Sequence, residues 1–238
     1  MTAYIEFNGI RSDTLGLRII NKVEHESTGY DVDTVVVPGR DGELLLSNGR
    51  LKSVEKSFPL RLVSKTNLTR SQEEISQWLN VEGYQKLLLS WDPEFEYRAA
   101  FIKTFAIDEI LRNFGNLKVN FLVHPIKYYR DGLVSKRITS GSVLAGKGNV
   151  NAKPIIKLTG SGDCVLTING RTTKLRGIQG GITIDMQTNT IYQGVQGAWD
   201  KFVRSADSVK PYLDPKSNTI SWTGNFTVDL TPFWGVKL

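Results

Sequence analysis

Two periodicities run along this chain, and they sort it into parts. In the first half apolar residues alternate with polar ones. Val54, Lys56, Phe58, Leu60 and Leu62 fall on one face of a strand, and Leu117, Val119, Phe121 and Val123 do the same later. Successive side chains of a strand point to opposite faces, so each set can cover one side of a core. Between Leu68 and Gly83 the spacing changes to Ile75, Trp78 and Leu79, which is the period of a helix. Thr69 with Gln72, or equally Ser71 with Glu74, reads as a capping box. Glu73 and Glu74 then fall in the first turn, and Gly83 ends the helix. Trp78 is expected to anchor that helix to the sheet. Turns are expected at Asn48-Gly49, at Asp92-Pro93, and at Asn113-Phe114-Gly115-Asn116, the tip of a long hairpin built from Ala99–Ile110 and Leu117–Val123.

The second half has no comparable helix. After a loose stretch from Ser140 to Asn149, short strands recur: Pro154–Leu158, Cys164–Ile168, Gly181–Asp185, Thr190–Tyr192, Thr219–Thr223 and Phe226–Leu230. Asn169-Gly170 marks the clearest hairpin. Close spacing of short strands with turn signals between them argues for a β-sandwich or jelly roll. Gly194–Ser208 reads either as a short helix carrying Trp199, Phe202 and Val203 on one side, or as an ordered loop.

Composition sharpens this division. Residues 1–132 carry 17 Lys and Arg against 18 Asp and Glu, a balance of −1. Residues 133–238 carry 13 against 6, a balance of +7, and contain no glutamate. Glycine rises from 9 to 13 in the shorter second part. Two domains meeting near Gly132 explain the shift. The basic residues of the second part, such as Lys136, Arg137, Lys174 and Arg176, are dispersed among strands. Specific nucleic-acid binding is therefore not expected.

No window approaches about 18 uninterrupted apolar residues, so membrane insertion is not expected. The opening Met1–Glu6 has neither a basic nor an apolar signal region, which points to a reducing cytoplasm. Cys164 stands alone, so an internal disulfide or a cysteine zinc cage is excluded.

Candidate chemistry is sparse. His25 and His124 lie in separate contexts, and a metal needs three or four convergent ligands. No Gly-x-Ser-x-Gly turn accompanies a histidine base. Cys164 reads as a small core residue. Glu94 with Glu96, and Asp108 with Glu109, are the carboxylate pairs that glycoside cleavage would need, and both read better as surface charge. Gly39-Arg40-Asp41-Gly42 lacks the lysine and Ser/Thr of a phosphate loop, so it reads as a turn. The expectation is no enzyme, no catalytic or metal residues and no cofactor.

Several segments resemble, in order, the distal tail (Dit) proteins of long-tailed, siphovirus-type bacteriophages of Gram-positive bacteria. They are Phe7-Asn8-Gly9-Ile10 with Leu15-Gly16-Leu17, Val37-Pro38-Gly39-Arg40-Asp41-Gly42, Gln77-Trp78-Leu79, Leu87-Leu88-Leu89-Ser90 with Asp92-Pro93, and Phe121 with the segment 124–129. In the second half they are Asn149, Pro154-Ile155-Ile156, Ile168-Asn169-Gly170, Ile182-Thr183-Ile184-Asp185, Leu213-Asp214-Pro215, Asn218-Thr219-Ile220-Ser221 and Thr223-Gly224. The resemblance covers nearly the whole chain and is similar to the short form, without an inserted sugar-binding module.

It implies a mainly β protein. Residues 1–132 would form a β-sandwich or split barrel with one α-helix and a long hairpin. Residues 133–238 would form a galectin-like β-sandwich of jelly-roll type. It also implies a structural hexameric ring in the virion, at the tail tip or baseplate, assembled in the host cytoplasm. Its partners would be the tail tube protein, the tail-associated tip protein and receptor-binding proteins. The alternative is a carbohydrate-binding host-recognition protein that stacks sugar on Trp199, Trp222 or Trp234, although those tryptophans read better as core.

Overall fold

The computed structural model describes residues 3–20, 26–63, 68–111 and 114–238. Its strands are β1 (Ile5–Phe7), β2 (Ile10–Arg11), β3 (Leu17–Ile19), β4 (Tyr30–Val35), β5 (Leu44–Leu51) and β6 (Val54–Val63), followed by the helix α1 (Leu68–Leu79). Then come β7 (Gln85–Leu89), β8 (Phe95–Phe101), β9 (Ile107–Leu111), β10 (Phe114–Val123) and β11 (Ile126–Tyr129). The remainder is β12 (Lys136–Ile138), β13 (Ser142–Ala145), β14 (Ile155–Thr159), β15 (Gly162–Ile168), β16 (Arg171–Ile178), β17 (Ile182–Asp185), β18 (Thr190–Gln193), β19 (Gln196–Gly197), β20 (Ser217–Trp222), β21 (Thr227–Thr231) and β22 (Gly235–Lys237). The chain is mainly β and forms two compact units, residues 1–127 with 237–238, and residues 128–236. Gly132 lies inside the second unit, where a Cβ would meet Trp234 at 3.0 Å.

In the first unit an antiparallel sheet runs β2-β1-β7-β8-β10-β6-β3, with β9 alongside β10. Strands β6 and β10 pair over their full lengths, Phe114 opposite Val63 through Val123 opposite Val54. Both alternating sets turn inward as expected: Val54, Phe58, Leu60 and Leu62 are buried, and so are Leu117, Val119, Phe121 and Val123. Lys56 shares that face and is buried too, and desolvation pushes its ammonium pKa down. Helix α1 closes the core with Ile75, Trp78 and Leu79. Each such side chain contributes about 1.5–3 kcal/mol by leaving water. Trp78 packs edge-on to Phe7, and its indole N–H donates to the Phe7 carbonyl at 3.0 Å. It is the anchor expected of it.

Several local expectations are corrected. Thr69 and Ser71 both lie within α1, so neither caps it, and Glu73 and Glu74 fall beyond its first turn. The residue before Leu68 lies outside the described residues. The helix ends at Leu79, four residues before Gly83, which takes its left-handed φ of 73° in the following turn. Ala99–Ile110 is two strands, because Ile102–Ala106 leaves the ladder and folds Phe105 back onto the core. Phe114, Gly115 and Asn116 are paired residues of β10 and not a hairpin tip, and Asn113 lies outside the described residues. Asn48-Gly49 does not reverse the chain. Gly49 has φ 68°, but Tyr30 faces Leu51 while Val32 faces Ser47, so the turn signal is spent on a bulge inside β5.

The second unit is a two-layer sandwich. One sheet runs β12-β21-β14-β17-β18-β19 and the other β13-β20-β15-β16. Their inner faces meet through Ile156, Leu158, Ile184, Val228 and Leu230 from the first, and Cys164, Leu166, Ile168, Leu175 and Ile220 from the second. All six anticipated strands are present within a residue or two. Asn169 and Gly170 both have positive φ (49° and 79°) and join Ile168 directly to Arg171, a primed two-residue turn. Asn169 Nδ2 and Arg171 Nη2 both donate to Asp214 Oδ2, at 2.5 and 2.9 Å. Fully buried Asn218 bonds the Asp214 backbone in both directions, which pins the hairpin to the Asp214–Asn218 turn. The stretch read as loose contains a strand, Ser142–Ala145 on β20. Trp199–Lys201 is a single 3-10 turn, with Trp199 and Phe202 against the core.

Candidate functional site

Strands β4 and β5 form a sheet of their own, and none of their residues belongs to either buried core. The base of this hairpin is tied down. Lys52 N donates to Gly29 O at 2.9 Å, Thr28 N to Leu238 O at 2.9 Å, and Lys237 Nζ to Tyr30 Oη at 2.8 Å. Asp31, the one buried residue of the pair, accepts from Arg50 Nε at 2.6 Å. That hydrogen bond, with the charges of Arg50 and Lys52, holds its carboxyl below the usual range.

Beyond the base, no described residue of the first unit buries the hairpin's apolar side chains. Val36 is 76 % exposed, Leu45 64 %, Leu46 48 %, and Val35 and Val37 are also exposed. Thr34 faces Leu45 and Asp33 faces Leu46 in the register, so the apolar side chains stand on both faces. Gly39-Arg40-Asp41-Gly42 lies in the exposed loop, with Arg40 N bonded to Val37 O at 3.2 Å. It is a turn, as read. A two-stranded ribbon is marginal in water by itself, and exposed apolar patches of this kind are where proteins commonly meet other molecules. The β-branched run Val35-Val36-Val37 was the signal in the sequence. It carries no polar alternation, so it was compatible with a buried strand as well as an exposed one.

The candidate catalytic residues do not converge. Among the described residues no three His, Cys, Asp or Glu side chains group as a metal site. His25 lies outside the described residues. His124 Nδ1 accepts from Ile126 N at 3.2 Å, with its ring edge-on to Tyr84. Glu96 pairs with Lys86 at 3.1 Å, while Glu94 is exposed in the preceding turn. Asp108 is exposed on β9, and the Glu109 side chain lies outside the described residues. Of the tryptophans considered for sugar stacking, Trp234 is buried. Trp222 donates to Phe226 O at 3.1 Å, and Trp199 sits edge-on to Phe202 beneath Lys210. Trp234 belongs to the buried core of the second unit, and Trp199 and Trp222 pack against it half-buried.

Cys164 is fully buried in β15, and burial alone pushes its thiol up to about 11. The thiolate is the reacting species. Iodoacetamide at pH 8 should therefore leave the folded protein unlabelled over hours and label it within minutes in denaturant. Rapid native labelling, read by intact mass, would contradict this placement.

The architecture defines a class, an all-β protein of two units with a single helix and no assembled catalytic centre among the described residues. Among solved structures it is similar to the crystal structure of the SPP1 Dit (gp 19.1) protein, described as a paradigm of the hub adsorption apparatus in phages infecting Gram-positive bacteria. The TM-score is 0.74, covering 98 % of this chain and 99 % of that one, at 15 % identity. The likeness is one of fold. No protein-family model matches the sequence, and no curated protein does. Among the described residues no helix is long and apolar enough to cross a membrane.

Proposed function

We propose that this protein is a structural hub of a phage tail tip, a Dit protein of the short form without catalytic activity. Six copies close a ring through the first unit. The ring joins the tail tube protein to the tail-associated tip protein and carries receptor-binding proteins. The galectin-like second unit lies at the periphery. The protein assembles in the host cytoplasm and ends in the virion. The full-length likeness to a hub protein supports the class, and the exposed apolar hairpin carries the assembly.

Ring closure needs two different surfaces on each subunit. The β4–β5 hairpin supplies one of them. Residues 1–132, at −1, can be crowded with little like-charge repulsion, whereas residues 133–238, at +7, suit a screened outer position. The two parts are proposed to fold independently, so limited proteolysis should leave a stable fragment from about residue 128 onward.

The test is light scattering and negative-stain microscopy of the full chain, alone and after changing Val36 and Leu45 to aspartate. The wild type should form closed six-fold rings. The double variant should stay monomeric and keep the wild-type far-UV spectrum, because both side chains are exposed in the monomer. A wild type that remains monomeric at high concentration would overturn the reading, and so would a variant that still forms rings.

A further inference from the structure

An open groove of about 680 Å³ lies on the outer face of the six-stranded sheet of the second unit, lined among others by Lys157, Thr159, Gly180, Gly181, Thr183, Tyr192, Gly194 and Asp229. A single register row crosses all six strands here. Arg137 faces Asp229, Asp229 faces Lys157, Lys157 faces Thr183, Thr183 faces Tyr192, and Tyr192 faces Gly197. The residues on either side of this row in sequence, Leu230, Ile156, Ile184 and Ile191, are all buried in the core. The pleat therefore turns the row outward, into the groove.

The charges along the row are not equally committed. Asp229 is held by Arg137 at 3.1 Å. Among the described residues Lys157 has no ion-pair partner, although it stands at the centre of the sheet. Tyr192 lies two strands away, or roughly 10 Å at about 4.8 Å per strand, with the Thr183 hydroxyl between them. One sugar ring fits that span, with its apolar face on the tyrosine ring and its hydroxyls towards Thr183 and Thr159. A negative substituent on it would meet the Lys157 ammonium. We infer that this groove binds a saccharide carrying an anionic group. The site is separate from the tryptophans weighed above, and it does not depend on ring assembly.

The test uses the full-length protein, titrated by calorimetry and by chemical-shift mapping. The probes are trigalacturonate for a carboxylate source, glucose 6-phosphate for a phosphate source, and maltotriose as the neutral control. Saturable binding of either acidic probe in the millimolar range or tighter is expected, with maltotriose about tenfold weaker. Lys157→Met and Tyr192→Ala should each weaken the acidic probe about tenfold, while Lys136→Met, away from the groove, should leave it unchanged. All three side chains are partly or fully exposed, so the variants should fold, and their far-UV spectra check this. The assignment is overturned if neither acidic probe saturates, if Tyr192→Ala binds like the wild type, or if Lys136→Met loses as much affinity as Lys157→Met. Equal affinity for inorganic phosphate alone would also overturn it.

Discussion

Replacing Gly148 with alanine should destabilise the second unit by about 2–5 kcal/mol, the sum of a left-handed backbone penalty and overpacking. Gly148 has φ 90° and bridges to Gly235, and an added Cβ would fall 1.9 Å from the Gly235 carbonyl oxygen. The obstacle is backbone, so no rotamer can move aside. Displacing it would disturb Asn149 N, which donates to the same carbonyl at 3.2 Å. Gly141 is the matched control. Its φ is 84°, yet its Cβ would meet nothing within 4 Å, so Gly141→Ala should cost only about 1–2 kcal/mol. Hydrogen exchange of the β14 and β21 amides, read by mass spectrometry, distinguishes the two. Equal protection in both variants would show that the Gly148 contact is not a real constraint.

Phe121→Ala should cost the first unit about 3–5 kcal/mol, the usual range for a large aromatic removed from a packed core. The ring is fully buried, with its centroid 4.7 Å from Phe7, 5.9 Å from Phe58 and 6.2 Å from Phe101. It thus joins β1, β6, β8 and β10, and no neighbour can fill its place without leaving its own rotamer. On the same strand Phe114 is 39 % exposed, and Phe114→Ala should cost less than about 1 kcal/mol. Exchange in the second-unit core should not change in either variant, since distant sites act additively. A Phe121→Ala protein that unfolds at the wild-type denaturant concentration would refute the central role given to this ring.

The candidate site was only half legible in the sequence. Val35, Val36 and Val37 favour a strand, but a run of β-branched residues is equally at home inside a sheet. Exposure is decided by what the rest of the chain leaves uncovered, here both faces of β4 and β5. The groove was less visible still. Lys157, Asp229, Thr183 and Tyr192 come from four strands spread over more than seventy residues. Only the pairing order β21-β14-β17-β18 sets them side by side.

What the sequence determined by itself was local and periodic. Alternation at Val54–Leu62 and Leu117–Val123 dictated which face of β6 and β10 would be buried, because a strand offers its side chains to only two sides. The i, i+3, i+4 spacing of Ile75, Trp78 and Leu79 fixed the packing face of α1, and Asn169-Gly170 fixed one hairpin through its tolerance of positive φ. Tertiary structure decided where local preferences competed. Gly49 satisfied its left-handed preference in a bulge, since the partner strand continued past it. Ala99–Ile110 had the propensity for one long strand, but Ile102–Ala106 leaves the ladder and Phe105 packs against the core instead. Strand order and the fate of exposed apolar residues depend on contacts between distant segments, and no local period encodes those.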